Sequence, residues 1–362
     1  MNSASVIVAC AGSFERNASV LRAMAVARWY QTRGELCFLA LERTAQNLAL
    51  AEKFTLPAGC LQSPGRIMAL LYVWPTRPIT VHLVNVSLKS AFLAAMTAIV
   101  RGRVVADWDE WATRIPAPAA RKLMWHAVEA MMFFVASTFL VASKFLQVEI
   151  RQKLERNRDV VYIPYGFDLP EDAASVAPGA LPTGRRYLAY VGSFAANYAA
   201  DIDELFRAAE AAAAERIDLL VIGDGELLPR LREGLDHRLG QIHFLGRMTP
   251  AGVDSWLRHP QVIAGFLPLQ DTRQNLARCP NKLFHYIRAS LPVVTSPIGE
   301  AFEALGGRGV YYDFGDPTGL RRAIGEAARL KPAYELSRYS WAVRLDGLGL
   351  ISNAADPLRA TI

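Results

Sequence analysis

Short apolar runs alternate with helix-length segments along the whole chain. In the first half, runs rich in β-branched and aromatic residues predict strands at residues 6–9, 35–41, 79–84, 103–106, 139–143 and 160–163. A second series predicts strands at residues 187–191, 217–222, 242–245, 262–267, 291–294 and 310–312. Strands that alternate with helices form parallel sheets covered by helices on both faces. The pattern therefore predicts two doubly wound, Rossmann-like α/β domains.

Residues 169–186 interrupt this alternation. The segment is rich in Pro, Ala and Gly and has no apolar period, which is typical of a linker. We therefore place an N-terminal domain at residues 1–168 and begin the C-terminal domain at residue 187. Ligands of open α/β sheets bind beyond the carboxyl ends of the strands. We expect the functional site in a cleft where the two domains face one another.

The stretch "CPNKLFHYIRASLPVVTSPIGE", residues 279–300, predicts a helix over residues 283–289 followed by a strand between two prolines. Lys282 comes just ahead of this helix, where its ammonium and the positive helix end favour a diphosphate. Arg278 is a neighbouring cation. The alternative for Lys282 is an ordinary solvated residue, and His285 either faces the same cleft or is satisfied within the helix.

A glycine turn follows the strand at residues 187–191. Gly192 and Ser193 lead towards a helix, so their backbone N–H groups are candidates for phosphate binding. A second turn of this kind contains Gly223 and Gly225. Ordinary turns between a strand and a helix also use glycine, so the purely structural interpretation stays open.

Three acids follow the strand at residues 103–106. Asp107, Asp109 and Glu110 would lie at the carboxyl edge of the sheet, and a carboxylate there is a candidate general base for an acceptor hydroxyl. Because side chains alternate along a strand, we expect at most one or two of them to reach a substrate. Trp108 and Trp111 flank the acids and suggest an apolar or sugar-stacking environment that raises a pKa. His82, inside a strand, is open to a structural or a functional role.

Positive charge is concentrated in the first half of this 362-residue chain of net charge +6. Residues 1–168 hold 19 Lys/Arg and 12 Asp/Glu. No basic run with interleaved aromatic residues indicates nucleic-acid binding. Together with the apolar stretch at residues 67–74, the excess predicts peripheral association with an anionic membrane surface, against the alternative of a merely solvated surface.

The apolar stretch at residues 130–143 is too short to span a membrane, since a spanning helix needs about 20 residues. We interpret it as the end of a buried helix followed by a strand, and insertion into one leaflet of a membrane is the alternative. The four cysteines show no C-x-x-C spacing, so we expect buried thiols in a reducing compartment and no metal site. The first residues read as a strand rather than a signal peptide, and we therefore expect a cytoplasmic protein.

Several motifs together resemble those of the GT-B glycosyltransferases, in particular bacterial group 1-like enzymes that build cell-surface polysaccharides. They are "YIPYGFD" at 162–168, "YVGSF" at 190–194, "LLVIGDGELLPRL" at 219–231, "IHFLGRMTPAGVDSWL" at 242–257, "PNKLFHYIRASLPVVTSP" at 280–297 and "RYSWAVRLDGL" at 338–348. The resemblance implies an acceptor domain at residues 1–168 and a nucleotide-sugar domain at 187–337. It also implies a closing segment, residues 338–362, that crosses back towards the first domain.

The resemblance also implies roles for individual residues. The region of Lys282 would contact the diphosphate and ribose of the donor, and the turn of Gly246, Arg247 and Met248 would lie by its base. Many relatives carry a pair of glutamates separated by seven residues, the second of which holds the ribose. This chain has Ala277 and His285 at those positions. His285 can still form a hydrogen bond with a ribose hydroxyl, but it lacks the acceptor-only pattern of a carboxylate.

We therefore expect a glycosyltransferase that moves a sugar from a nucleotide diphosphate donor to a hydroxyl of a lipid-linked or surface-glycan acceptor. Asp107 or Asp109 would be the general base of an inverting reaction. Lys282, an arginine and backbone N–H groups would neutralise the departing diphosphate without a metal or a further cofactor. Two alternatives are a nucleotide-sugar 2-epimerase, which needs no acceptor, and a non-catalytic partner protein that keeps the fold.

Overall fold

The computed structural model describes residues 5–10, 19–57, 59–62, 79–85, 87–114, 117–154, 158–168, 181–195, 199–234 and 241–354. Two compact units divide the chain. The first takes its described residues from Met1–Gly166, Ala277–Cys279 and Trp341–Ile362, and the second from Phe167–Leu276 and Pro280–Ser340. Residues 169–180 of the predicted linker and the apolar stretch at 67–74 lie outside the described residues, so the predicted domain limits stay a prediction.

One parallel sheet organises the first unit. Its described strands are β1 (Ser5–Cys10), β2 (Leu36–Ala40), β3 (Leu61–Gln62), β4 (Ile79–Val84), β5 (Arg103–Trp108), β6 (Thr138–Val141) and β7 (Asp159–Tyr162). They lie in the order β3-β2-β1-β4-β5-β6-β7, and every neighbouring pair is parallel. The described helices between them are α1 (Ser19–Thr32), α2 (Ala45–Lys53), α3 (Leu88–Ile99), α4 (Ala119–Val135) and α5 (Lys144–Lys153).

A second parallel sheet organises the second unit. Its described strands are β8 (Tyr187–Val191), β9 (Asp218–Ile222), β10 (Ile242–Gly246), β11 (Val262–Leu267), β12 (Val293–Thr295) and β13 (Val310–Tyr311). Their order is β10-β9-β8-β11-β12-β13. The described helices are α6 (Ala199–Ala214), α7 (Leu228–Gly234), α8 (Pro250–Leu257), α9 (Arg273–Ala277), α10 (Asn281–Arg288), α11 (Gly299–Leu305) and α12 (Pro317–Ala327). Helix α13 (Trp341–Ala354) follows and belongs to the first unit, where it contacts α1 and β7.

The strands form because their residues are apolar on both faces, as a parallel sheet covered by helices requires. In β4, for example, Val81 and Leu83 face one way and Val84 the other, and all three are buried. Side-chain caps begin several helices. Ser87 and Ser143 each accept a hydrogen bond from the backbone N–H three residues further on, at the starts of α3 and α5.

The prediction of two doubly wound sheets is confirmed, with differences at some element ends. The pattern missed the short edge strand β3. Strand β12 begins at Val293, after Pro292, which has no N–H to donate to a neighbouring strand. Helix α10 begins earlier than predicted, at Asn281, so Lys282 lies in its first turn and not ahead of it.

None of the described helices is long and apolar enough to cross a membrane. The apolar stretch at residues 130–143 forms the end of α4 and strand β6, in the predicted order. Helix α4 is buried on one face only, however, and the side of Phe134 is 82 % exposed. The expectation of a buried helix end therefore holds for the inner face, where Met132 lies in the core, and not for the outer face.

Candidate functional site

In each sheet, the chain adds strands on one side of the first strand and then continues on its other side. In the first unit β1 lies between β2 and β4, and in the second unit β8 lies between β9 and β11. Connections that leave on opposite sides open a crevice beyond the carboxyl ends of these strands, where ligands bind in such sheets. The predicted site residues lie near both places. Asp107 and Asp109 are at the end of β5, beside β4, and Gly192 and Ser193 directly follow β8.

Asp107, predicted as a candidate general base, is fully buried in an ion-pair network. The Nε atom of Arg22 lies 2.9 and 2.8 Å from its two carboxylate oxygens, and His82 Nε2 lies 3.0 Å from Oδ2. Tyr30 Oη is 3.3 Å from the other ring nitrogen of His82. Burial raises the pKa of Asp107, but Arg22 and His82 outweigh it and hold this pKa below its ordinary value. These contacts favour a structural role for both Asp107 and His82.

Asp109 has a different environment. It is 6 % exposed, and its Oδ2 accepts hydrogen bonds from Ser19 Oγ and from Tyr165 Oη, the latter at 2.6 Å. Its Oδ1 is buried and forms no hydrogen bond with the described residues. Burial raises the pKa of Asp109 despite the two hydroxyl donors. A carboxylate with a raised pKa and an unused acceptor oxygen is suited to take a proton from a hydroxyl.

Asp107 and Asp109 project to the same side of β5, because they are two residues apart, and both contact α1. Trp108, between them, points the other way and packs edge-on against Phe139. Trp108 and Trp111 are each only 2 % exposed within the apolar core. The suggestion that these tryptophans provide a sugar-stacking surface was therefore wrong.

Glu110 is the third acid of this segment and is partly buried. Burial and the charge of Asp109 raise the pKa of Glu110 to about 7, while Arg278 opposes the shift. Arg278 belongs to the segment Ala277–Cys279, which is assigned to the first unit. Its charge therefore acts on Glu110, and its predicted donor-binding role stays a prediction. Ala277, at the first position of the usual glutamate pair, is buried in the apolar core of the first unit.

In the second unit, the turns after β8, β9 and β10 are joined by backbone hydrogen bonds. Gly192 N–H donates to Ile222 at 3.0 Å, and Gly223 N–H donates to Gly246 at 2.8 Å. Gly223 has φ of +141°, and a Cβ there would lie 1.8 Å from the carbonyl oxygen of Gly192. Only glycine fits this contact. The backbone of Gly192 and exposed Ser193 is thereby fixed at the carboxyl edge of the sheet.

Lys282 reaches the same edge from α10. Its Nζ lies 3.1 Å from Tyr190 Oη and 3.5 Å from an oxygen of Asp201, and it stands 4.2 Å from the centre of the Tyr190 ring. Tyr190 is in β8 and Asp201 is in the first turn of α6. A Cβ on Gly192 would lie 2.8 Å from Tyr190 Oη, so this hydroxyl adjoins the turn. The structure thus brings Lys282 and the Gly192 turn together.

The side chain of His285 contacts helix α8 of the second unit. Its Nδ1 lies 2.9 Å from Asp254 Oδ1, and Arg288 forms an ion pair with the same carboxylate. An aspartate only accepts hydrogen bonds, so this contact assigns the proton to Nδ1 in the neutral ring. The Nε2 atom then carries a lone pair that can accept a hydrogen bond from a hydroxyl group.

Gly246 ends β10 with φ of +70°, and Arg247 and Met248 follow it. Since Gly246 accepts from Gly223, this turn lies at the same edge as the Gly192 turn. The predicted contact with a nucleotide base stays a prediction. Sequence reasoning missed Asp201 and Asp254, which hold Lys282 and His285. The position of Asp201 in the first turn of a helix after a glycine turn was the one available signal.

Residues 185–329 match the protein-family model described as Glycosyl transferases group 1. No curated protein matches the chain by sequence. The fold resembles that of several solved structures. Anabaena Alr3699/HepE, in complex with UDP and glucose, has a TM-score of 0.69 and 13 % identity over 97 % of this chain and 100 % of that chain.

Two further structures show the same likeness. The lipopolysaccharide outer core galactosyltransferase WaaB has a TM-score of 0.62 and 12 % identity over 96 % of this chain and 99 % of its own. Sucrose-phosphate synthase from Thermosynechococcus elongatus has a TM-score of 0.67 and 13 % identity over 99 % of this chain and 100 % of its own. At such identities the likeness establishes the fold, which is the GT-B fold of two Rossmann-like domains. By this fold and by the match of residues 185–329, the chain resembles the group 1-like glycosyltransferases, as its motifs indicated.

Proposed function

We propose that this protein transfers a sugar from a nucleotide diphosphate sugar to a hydroxyl of a lipid-linked or cell-surface glycan acceptor. The observation that carries the proposal is the Lys282 ammonium, which lies 3.1 Å from Tyr190 Oη and beside the Gly192 turn. This turn lies within the residues that match the glycosyltransferase model. HepE was solved with UDP and with UDP-glucose, so uridine nucleotides are the first donors to test.

On the donor side, the second unit would stabilise the leaving diphosphate. Lys282 supplies a positive charge, and the backbone N–H of Ser193 is the candidate donor on the turn, because the N–H of Gly192 already donates to Ile222. Donors that are already oriented towards developing negative charge stabilise the transition state without reorganisation. We therefore propose that the reaction is independent of a metal ion, with Lys282 compensating the charge that accumulates on the diphosphate as the sugar departs.

On the acceptor side, Asp109 is the better candidate base. In an inverting reaction, the acceptor oxygen attacks the anomeric carbon while the bond from this carbon to the diphosphate oxygen breaks. The hydroxyl proton passes to the carboxylate. Asp109 Oδ1 has no hydrogen-bond partner among the described residues, whereas Asp107 is held by Arg22 and His82. We therefore assign the proton transfer to Asp109 and a supporting role to Asp107.

Calorimetric titration with UDP, ADP, GDP and TDP tests the donor site. A thermal-shift screen comes before the titration and identifies the preferred base, because a nucleotide present at 100 times its Kd adds about 2.7 kcal/mol of stability. Lys282→Ala should weaken binding of that nucleotide about 10- to 100-fold, the value of a charge-assisted hydrogen bond. Lys331→Ala removes an exposed lysine of the same unit and is the matched control. Equal binding by both variants would contradict the assignment of Lys282.

A transfer assay with labelled UDP-glucose separates the alternatives. Sugar transfer that needs an added acceptor, and that persists in EDTA, supports the proposal. Isomerisation of the donor without acceptor would identify an epimerase. Absence of nucleotide binding would favour a non-catalytic partner that keeps the fold. A lipid-linked acceptor would also require access to a membrane, and we propose a cytoplasmic protein that associates peripherally with the inner membrane surface.

A further inference from the structure

Helix α3 has an exposed apolar stripe along the side that faces away from the sheet. Leu88, Phe92 and Ile99 are 59, 57 and 73 % exposed, and partly exposed Met96 lies between the last two. These residues recur at helical spacing and so form one continuous line. The opposite side of α3 contributes Ala91, Leu93 and Ala94 to the core of the first unit. The helix is therefore apolar on its buried and on its outer face.

Helix α4 repeats this arrangement. Leu123 and Phe134 are 73 and 82 % exposed, with the exposed residues Ala127 and Ala130 between them at helical spacing. On the inner side, Val128 and Met132 join the same core as α3. The two helices contact one another and connect β4 to β5 and β5 to β6. Successive right-handed connections in one direction lie on the same side of a sheet, so the two outer stripes are neighbours.

The exposed Lys, Arg, Asp and Glu side chains of helices α3 and α4 themselves are all cationic. Helix α3 contains Lys89 and no acid, and Arg101 follows its end. Helix α4 contains exposed Arg121 and Lys122 beside Leu123. At the far end of the stripe, Arg158 donates to the Phe134 carbonyl oxygen at 3.1 Å, and exposed Asp159 follows it in the chain, so this pair adds no net charge.

The one acid in these two described helices is Glu129. It is buried and accepts hydrogen bonds from Trp111 and Thr113, so it contributes no carboxylate to the outer face. A surface of two parallel apolar stripes with flanking cations, and with no exposed acid in either described helix, matches the interface of a bilayer that contains anionic lipid. Apolar side chains enter the acyl boundary there, and lysine and arginine meet the headgroup phosphates.

We propose that the outer face of α3 and α4, defined by Leu88, Phe92, Ile99, Leu123 and Phe134 with Lys89, Arg101, Arg121 and Lys122, docks on an anionic lipid bilayer. This face would be the part of the molecule that makes the peripheral membrane association proposed above. The inference rests on the proposed function, in which the acceptor is linked to a lipid. The membrane association predicted from the sequence relied on the charge of the first half and on the stretch at 67–74, which lies outside the described residues. Phe134 belongs to the stretch at 130–143, for which insertion into one leaflet was the alternative interpretation.

Co-sedimentation with vesicles tests the proposal directly. The protein should bind vesicles of phosphatidylcholine mixed with phosphatidylglycerol more tightly than pure phosphatidylcholine at about 0.01 M salt, where the Debye length is about 30 Å. Binding should weaken at about 1 M salt, where this length is about 3 Å. Arg121→Glu/Lys122→Glu should reduce the partition coefficient at least about tenfold, or about 1.4 kcal/mol. Arg329→Glu/Lys331→Glu makes the same change in net charge on the second unit and should bind like the parent protein.

The apolar contribution needs its own pair of variants. Phe92→Ser/Phe134→Ser should also reduce the partition coefficient at least about tenfold, because two aromatic rings no longer enter the interface. Phe302→Ser removes an exposed phenylalanine of the second unit and is the control. Circular dichroism and UDP binding of every variant show that folding and the donor site are intact, so a failure here is distinct from a failure of the proposed function.

Three results would overturn the proposal. The first is equal binding to neutral and anionic vesicles. The second is vesicle binding by the two α3–α4 variants that matches that of their controls. The third is a concentration-dependent dimer of the parent protein that Phe92→Ser/Phe134→Ser abolishes, since the face would then be an interface between two copies of the chain.

Discussion

Replacing Asp107 by asparagine separates a structural role from a catalytic one. The Arg22 and Asp107 side chains are both 0 % exposed, and the carboxylate is contacted by Arg22 Nε, by Arg22 Nη2 and by His82. Asp107→Asn keeps the shape of the side chain but removes its charge. The Arg22 guanidinium then remains buried without its hydrogen-bonded counterion, with only the charge of Asp109 acting on it, and we expect a large loss of stability.

The structure sets the size of this loss. Removing one partner of a buried ion pair costs about 3–5 kcal/mol, because the remaining charge stays out of water. A domain of ordinary stability has only about 5–15 kcal/mol in total. The pKa of Asp107 is lowered in the folded state, so the pair stabilises the fold above the unfolded pKa of this group and is lost as pH falls through the folded value. The difference between parent and variant should therefore shrink in acid.

Urea unfolding followed by tryptophan fluorescence measures the effect, since Trp108 and Trp111 report on the first unit. A double variant, Arg22→Met/Asp107→Leu, removes both charges and should recover much of the stability that Asp107→Asn loses. The reasoning would be refuted if Asp107→Asn unfolded within about 0.5 kcal/mol of the parent, the range of neutral surface changes. A fall in kcat of about 10²- to 10⁴-fold in that stable variant would restore Asp107 as the base.

Two further predictions concern the neighbouring acids. Asp109→Asn should lower kcat about 10²- to 10⁴-fold and leave nucleotide affinity unchanged, because Asp109 would meet the acceptor hydroxyl and not the donor. Steady-state rates measure the first effect, and UDP titration measures the second. Glu110→Gln should unfold with nearly the parent free energy below the unfolded pKa of Glu110, and should become the more stable protein as pH rises from there to about 7. Across this range the unfolded parent releases its proton while burial keeps the folded Glu110 protonated, so the parent loses stability. A constant difference between parent and Glu110→Gln across this pH range would contradict the burial of its carboxyl group.

Much of the fold could be predicted because buried parallel strands leave a strong pattern. Runs such as the one at residues 262–267 are apolar on both faces, and the strand observed there has the predicted bounds. The short strand β3 is two residues long and has no period to detect. The outer face of α4 was misjudged for the opposite reason, because apolar composition alone does not distinguish a buried side chain from exposed Phe134.

The position of the candidate site could be predicted from the sequence, but the role of each of its residues could not. Glycine turns and acids after strands mark the carboxyl edge of a parallel sheet, so Gly192, Lys282 and Asp109 could be singled out. The partners that decide their chemistry come from distant parts of the chain. Asp107 is 85 residues from Arg22, and no local pattern indicates that such a pair will meet.

The contact between Asp254 and His285 bears on the two glutamates that many relatives have and this chain lacks. A glutamate would offer a ribose hydroxyl two acceptor oxygens and a negative charge near the diphosphate. His285, with its Nδ1 proton held by Asp254 at 2.9 Å, offers one acceptor at Nε2 when the ring is neutral. The negative charge of Asp254 lies on the Nδ1 side of the ring, and Arg288 forms an ion pair with the same carboxylate. If the ribose lies at this position, as the resemblance implies, Nε2 of His285 can accept from its hydroxyl without a carboxylate. Absence of the glutamate pair therefore does not by itself argue against donor binding.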